Sequence, residues 1–168
     1  MRMKTGLGVL TGLVVAAGPA AATTTTQNFQ VTLTIVAECV IRSTATLAFG
    51  SIGVLGGAAG TANNDATTTV AVQCTDTTPY DIGLNAGTTS GGSTTTRLLA
   101  GSGAPTVQYK LYQDAGHTTN WGNTVATDTA SKVGNGASQS YTIYGRIPPQ
   151  TTPAPDTYTD TVTVTVTY

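Results

Sequence analysis

The chain has 168 residues, a formal net charge of -1 and only 9% charged residues. That length suits one folded domain, and the absence of a lysine and arginine cluster excludes a conventional nucleic-acid-binding surface. Threonine is the commonest residue type, and the chain contains 20 glycines. Because threonine, valine, isoleucine and tyrosine favour half-buried pleated surfaces, the composition predicts an all-β fold with glycine-rich turns.

The start of the chain has the features of a secretory signal. Arg2 and Lys4 precede an apolar stretch over residues 6–17, which is too short to span a bilayer, and small residues follow up to Ala22. We therefore predict a signal peptide over residues 1–22 that is cleaved after Ala22. An uncleaved membrane anchor is the alternative interpretation. Cleavage would remove two cations and leave an exported, more acidic chain.

The first predicted strand after the signal covers residues 29–35, where apolar and polar residues alternate. Side chains on a strand point to opposite faces in turn, so the apolar residues of this segment would share one face. They are Phe29, Val31, Leu33 and Ile35.

Cys39 and Cys74 are the only cysteines. An even number of cysteines in an exported chain favours a disulfide. The chain-entropy model assigns ~4 kcal/mol of stabilisation to a loop of the length that this bridge would close. A structural metal site is disfavoured, because two thiols and the single His117 cannot fill a tetrahedral ligand set.

Short alternating segments recur along the middle of the chain, between clusters of turn-forming residues. We predict strands over residues 46–52, 69–74, 80–84, 97–100, 107–112 and 138–147, with loops over 53–65, 87–95 and 114–123. The prolines of residues 148–155 would keep that segment out of a ladder, because proline has no N–H to donate. Strands of this length and spacing are typical of a β-sandwich.

The last predicted strand covers residues 158–168 and alternates through its final residue. Tyr158, Val162, Val164, Val166 and Tyr168 would share one face, and the threonines between them would share the other. We expect no further strand to cover the outer edge of this one. An exposed strand edge carries unpaired N–H and C=O groups, and it invites pairing with another chain.

No residue pattern indicates catalysis or cofactor binding. The single His117 lies in a polar loop with Asp114, and no G-x-S-x-G elbow occurs. Asp76 and Asp81 lack the spacing of an EF-hand. We therefore predict neither an enzyme nor a bound metal or cofactor. Trp121 and the tyrosines could line a carbohydrate site, but a place in the aromatic core is the favoured interpretation.

Several segments resemble the spore coat protein U domain family, which includes subunits of archaic chaperone–usher pili. The matching segments are the alternating lead into Cys39, Leu47-Ala-Phe49-Gly50, Val70-Ala-Val72-Gln-Cys74, Tyr109-Lys-Leu111-Tyr112, Trp121-Gly122, Tyr144-Gly145-Arg146-Ile147 and residues 158–168. Their order and the two-cysteine frame extend the resemblance over essentially the whole chain after the signal. The long glycine-, alanine- and asparagine-rich loop after Gly50 is a departure from it.

The resemblance implies an incomplete immunoglobulin-like β-sandwich over residues 37–168 that is completed by donor-strand exchange. Residues 23–36 would be the donor segment, and its apolar side chains would fill the groove of a neighbouring subunit. The groove-filling residues would be Phe29, Val31, Leu33 and Ile35. The C-terminal strand, with Tyr158, Val162, Val164, Val166 and Tyr168, would form one wall of the acceptor groove.

The resemblance also implies partners and a location. A periplasmic chaperone would fill the groove first, and at an outer-membrane usher the donor segment of the next subunit would replace it. The chain would then be a structural subunit of a surface pilus that supports adhesion or biofilm formation. Its single-domain length favours a shaft or minor subunit over a tip adhesin.

Other interpretations fit the same residues. Residues 29–35 could be the first strand of a closed sandwich, or they could fold back into their own groove. The protein could instead be a secreted coat protein outside any filament, as the family's name suggests. A small carbohydrate-binding sandwich that uses Trp121 is a further alternative.

Overall fold

A computed structural model describes residues 18–103 and 105–168. Most of the predicted signal peptide, residues 1–22, lies outside the described residues, so its cleavage stays a prediction. The chain divides into two compact units, Met1–Thr34 and Ile35–Tyr168, and all the described strands belong to the second. In the described part of the chain, no helix has the length and apolarity needed to cross a membrane.

The described residues form eight strands. They are β1 (Cys39–Thr44), β2 (Asn64–Cys74), β3 (Pro79–Leu84), β4 (Arg97–Ala100), β5 (Thr106–Tyr112), β6 (Ala130–Val133), β7 (Ser138–Ile147) and β8 (Val164–Thr167). One sheet has the order β1-β2-β7-β5-β4 and the other the order β6-β3-β8. Every pair of neighbours is antiparallel. The predicted all-β sandwich is confirmed.

The hydrophobic core lies between the sheets and follows the alternation of the strands. Val70 and Val72 of β2 and Ile82 of β3 are fully buried. Trp121 is 2% exposed, and its indole Nε1 donates a hydrogen bond to the carbonyl oxygen of Ile82 at 2.8 Å. The preference for Trp121 as a core residue is therefore confirmed, and its ring offers no exposed face on which a sugar could stack.

The predicted disulfide is confirmed. Cys39 and Cys74 face each other directly in the β1–β2 ladder, with their Cα atoms 4.1 Å apart, and their sulfurs are bonded. Further along the same ladder the register shifts between Ile41 and Ser43. The bridge therefore fastens one end of an edge strand to the longest strand of the sheet.

Several strand predictions differ from the structure. Residues 46–52 are outside any ladder, because Leu47 and Phe49 pack against the core without strand pairing. Residues 29–35 are not in a strand, and every residue of this segment is exposed. Only Val164–Thr167 of the predicted final strand is in a ladder, and β2 begins at Asn64, within the loop predicted over 53–65. Neither β1 nor β6 was predicted.

Candidate functional site

An open groove with a volume of about 460 Å³ runs between the two sheets. Four buried core residues contribute to its lining, namely Leu84, Tyr109, Leu111 and Ile143. Because these residues belong to the core and are each at most 7% exposed, the hydrophobic core itself forms the floor of the groove.

One wall of the groove is formed by β1 and the segment that follows it. Ile41, Leu47 and Phe49 contribute apolar side chains to this wall. The segment is tied to β2, since the Thr68 hydroxyl donates to the carbonyl oxygen of Ala45 at 2.7 Å. The wall is thus held in place although much of it lies outside a ladder.

Gly145 of β7 supports this wall by lacking a side chain. A Cβ atom at this position would lie 2.7 Å from Leu47 Cδ1 and 3.0 Å from Phe49 Cζ. These distances are too short for unstrained contact, so glycine allows both side chains to pack flat on the sheet. The two motifs that carry the family resemblance here, around Phe49 and around Gly145, are therefore packed together.

The opposite wall is formed by the C-terminal segment. Val162 and Val164 line the groove, and Val166 packs against the core. Tyr158 and Tyr168 are not among the lining residues. The Tyr158 hydroxyl donates to the carbonyl oxygen of Ala154 at 2.9 Å, and Tyr168 is exposed.

Each wall ends in a strand with a free edge. Among the described strands, β1 pairs with β2 alone and β8 pairs with β3 alone. The two edge strands also contact each other. Their outward backbone N–H and C=O groups have no ladder partner on the groove side, which is the arrangement that accepts an added strand.

The four predicted donor side chains are exposed. Their exposed fractions are 86% for Phe29, 82% for Val31, 84% for Leu33 and 74% for Ile35. Scattered exposed apolar residues are common on proteins, whereas a contiguous apolar row marks an interaction surface. The role of this row as a donor stays a prediction.

A carboxylate lies at the margin of the groove. Asp160 Oδ2 accepts a hydrogen bond from the Tyr109 hydroxyl at 2.7 Å, and Asp160 Oδ1 accepts from the amides of Thr88 at 2.9 Å and Thr89 at 3.1 Å. Burial raises the pKa of Asp160, but these hydrogen bonds outweigh it and lower that pKa below its usual value. The place of Asp160 at the groove was not predicted from the sequence, although a carboxylate on the inward face of an alternating segment was a signal.

In the loop over residues 114–123, Asp114 and His117 have structural roles. Asp114 accepts hydrogen bonds from the amides of Thr118 and Thr119, so it orders its own loop. The His117 ring packs edge-on against Tyr112 at 5.2 Å between centroids. Among the described residues, no group of three or more His, Cys, Asp and Glu side chains could hold a metal ion.

The sequence model of the spore coat protein U domain family matches residues 25–165 of the chain. The chain belongs to the spore coat protein U domain family. No match was found among curated proteins.

Among solved structures, this family member is similar to a chain of the CsuC–CsuE chaperone–tip adhesion subunit pre-assembly complex, from the archaic chaperone–usher Csu pili of Acinetobacter baumannii. The identity is 21% and the TM-score 0.54, over 80% of this chain and 40% of the other. The chain thus spans less than half the length of the protein that it matches. With the two-sheet topology, this likeness confirms the predicted immunoglobulin-like fold.

Proposed function

We propose that the chain is a structural subunit of a chaperone–usher surface pilus and that it polymerises by donor-strand exchange. One observation carries the proposal: an open groove of about 460 Å³, with core residues as its floor, lies between two edge strands. The exposed row from Phe29 to Ile35 has the alternation that a filling strand needs. In the proposed filament, this row of one copy enters the groove of the next copy or of a related subunit.

The energetics support an exchange between copies. Burying each of four large apolar side chains contributes roughly 1.5–3 kcal/mol, or about 6–12 kcal/mol before ordering costs. The net stability of a typical domain is about 5–15 kcal/mol. We therefore infer that a subunit with an empty groove is marginally stable, that a chain with both groove and donor self-associates, and that a subunit with a filled groove is much more stable.

The proposed partners follow from the family and from the sequence. A periplasmic chaperone would protect the groove after export by the signal over residues 1–22, and an outer-membrane usher would direct exchange for the donor of the next subunit. The similar solved structure is a complex of a chaperone with a tip adhesion subunit of a pilus, which supports the first partner. Surface display in adhesion or biofilm formation is the proposed outcome.

The test compares residues 23–168 with a variant that lacks residues 23–36. Light scattering coupled to size-exclusion chromatography should show oligomers for the parent and none for the truncated chain. Leu33→Asp should also abolish association, because an unpaired carboxylate is costly to bury in an apolar groove. Thr32→Asp changes the opposite face of the same segment and should leave association intact.

The proposal fails if the truncated chain forms the same oligomers and melts at the same temperature as the parent. Electron microscopy of cells with and without the protein then separates a filament from a coat. A coat without filaments would support the family's other structural role.

A further inference from the structure

The groove wall formed by the C-terminal segment, called the C-terminal wall below, is not held by strand pairing along its whole length. The β3–β8 ladder begins at Val164, whereas the groove is also lined by Asp160, Thr161 and Val162. Backbone hydrogen bonds fix this segment at its two ends. Thr159 exchanges two bonds of 2.9 Å with Ala100, and the Thr163 carbonyl accepts from the amide of Asn85 at 3.1 Å.

We propose that Asp160 is a positioning residue for strand capture, which holds this wall in its receptive conformation before a donor arrives. The inference rests on the proposed function and adds a residue outside the donor row and the β8 edge. Asp160 makes no hydrogen bond within a ladder. It acts through the residues that donate hydrogen bonds to its carboxylate, namely Thr88, Thr89 and Tyr109.

The carboxylate joins the wall to a turn and to the groove floor. Thr88 and Thr89 each donate both an amide and a hydroxyl hydrogen bond to Asp160 Oδ1, at 2.9 to 3.2 Å. The Tyr109 hydroxyl donates to Oδ2. Tyr109 is a core residue of β5 that lines the same groove. One side chain thus connects the C-terminal wall to β5 and to the turn between β3 and β4.

Gly87 shows that the approach of this carboxylate is built into the turn. Its φ is +85°, in the left-handed region that favours glycine, and a Cβ atom there would overlap Asp160 Oδ2. The turn over residues 87–89 therefore presents two consecutive amides to one oxygen. Two adjacent amides that point at one oxygen form a binding site for an anion, and here the anion is the carboxylate of Asp160.

The consequence concerns binding. A wall that is ordered before the donor arrives does not have to be ordered by the donor, and preorganisation of this kind raises affinity. Without the carboxylate, residues 160–162 would be free to move between their two anchored ends. Each donor would then have to order the wall as it binds.

The test measures how tightly a fluorescein-labelled peptide of residues 28–36 binds to residues 23–168 carrying Leu33→Asp, which disables the chain's own donor. Asp160→Ala should raise the Kd about tenfold or more, as expected from lost hydrogen bonds to a charged group. Asp160→Asn should give a smaller loss, since its carbonyl oxygen still accepts from the two amides. Tyr109→Phe should also weaken binding.

Asp156→Ala is the matched control. Asp156 accepts hydrogen bonds from the amide and hydroxyl of Ser102 at 2.6 and 2.7 Å, yet it does not line the groove. Its loss should leave the Kd within about twofold. All Kd values are measured well below the melting temperature of each variant, so a role limited to stability would leave them unchanged.

The possible outcomes separate the two proposals. A peptide that fails to bind the parent overturns donor-strand capture itself. A peptide that binds the parent and Asp160→Ala equally overturns only the positioning role. If Asp160→Ala does not fold, unchanged Kd values in both Asp160→Asn and Tyr109→Phe overturn it.

Discussion

Arg97 is buried completely, and no carboxylate in the described part of the chain forms an ion pair with it. Its guanidinium donates hydrogen bonds of 2.7–2.8 Å to four backbone carbonyls. The acceptors are the carbonyl oxygens of Leu84, Asn85, Thr94 and Trp121. Burial lowers the pKa of Arg97, but a guanidinium stays charged because its ordinary pKa is very high. One side chain thus cross-links β3, β4 and the Trp121 loop.

We expect Arg97→Met to lower the free energy of unfolding by about 3 kcal/mol or more. A buried ion pair can sometimes be replaced by apolar residues at little cost, but here the acceptors are backbone groups that would remain. Each acceptor without a donor costs about 1–3 kcal/mol. Urea unfolding measures this free energy. Arg97→Lys is the comparison variant, because lysine keeps the positive charge but lacks the planar guanidinium with its several N–H donors. A loss below about 0.5 kcal/mol for Arg97→Met would contradict the assignment.

The pKa values of the surface carboxylates predict how the stability of the fold changes as the pH falls. The amides of Thr119 and Thr118 lower the pKa of Asp114 from 3.8 to about 2, and hydrogen bonds from Ser102 lower that of Asp156. A carboxyl whose pKa is lower in the folded state stabilises the fold above its unfolded pKa. That contribution is lost as the pH falls through the folded pKa. The melting temperature should therefore fall between about pH 4 and pH 2.

Asp114→Asn tests the part of this acid sensitivity that belongs to the His117 loop. The amide cannot titrate, so the melting temperature of the variant should depend less on pH over the same interval. Thermal melts followed by circular dichroism at half-unit steps give both slopes. Equal slopes for the parent and Asp114→Asn would show that this carboxylate does not contribute.

At the scale of elements, the segment after β1 depends on a glycine in another strand. Gly145→Val would place branched carbons where Leu47 and Phe49 now lie. Overpacking of this kind costs about 1–3 kcal/mol, and it should also displace one groove wall and weaken donor binding. Gly53→Ala is the control, since nothing lies within 4 Å of a Cβ at that position. Equal stability of the two variants would argue against the packing described here.

Sequence patterning predicted the two-faced strands well. The bounds of β7 and β4 were predicted as they occur. In β7 the prediction succeeds because Tyr141, Ile143 and Ile147 meet the core on one face of an alternating strand. β6 has a single buried residue, Ala130, followed by three exposed ones, so it has no alternation to detect. Its strand character comes from pairing with β3, which is a tertiary property.

The groove was predictable only in part. The alternation of residues 158–168 indicated a wall, but it did not show that the first half stays outside the ladder or that Asp160 bonds to the turn over residues 87–89. Leu47 and Phe49 had the pattern of a strand, but they are partly buried by packing on Gly145 and the core without forming one. Both outcomes depend on contacts between segments that are distant in the sequence.

At the scale of the whole molecule, the proposed donor and acceptor are different surfaces of one chain. A contact between unlike surfaces is heterologous, and it generates an open filament unless its rotation closes a ring. Donor-strand exchange therefore makes a prediction about stoichiometry as well as affinity. Blocking one surface on each of two chains should convert a polymer into a dimer.

The two blocked chains are Leu33→Asp, which lacks a working donor, and Val162→Trp, whose indole would occupy the groove lined by Val162. Each variant alone should stay monomeric in light scattering, because neither offers both surfaces to its own kind. An equimolar mixture should form a one-to-one dimer and nothing larger, whereas the parent forms a concentration-dependent series. Polymers in either single variant, or monomers in the mixture under conditions where the parent associates, would contradict a head-to-tail exchange between this donor and this groove.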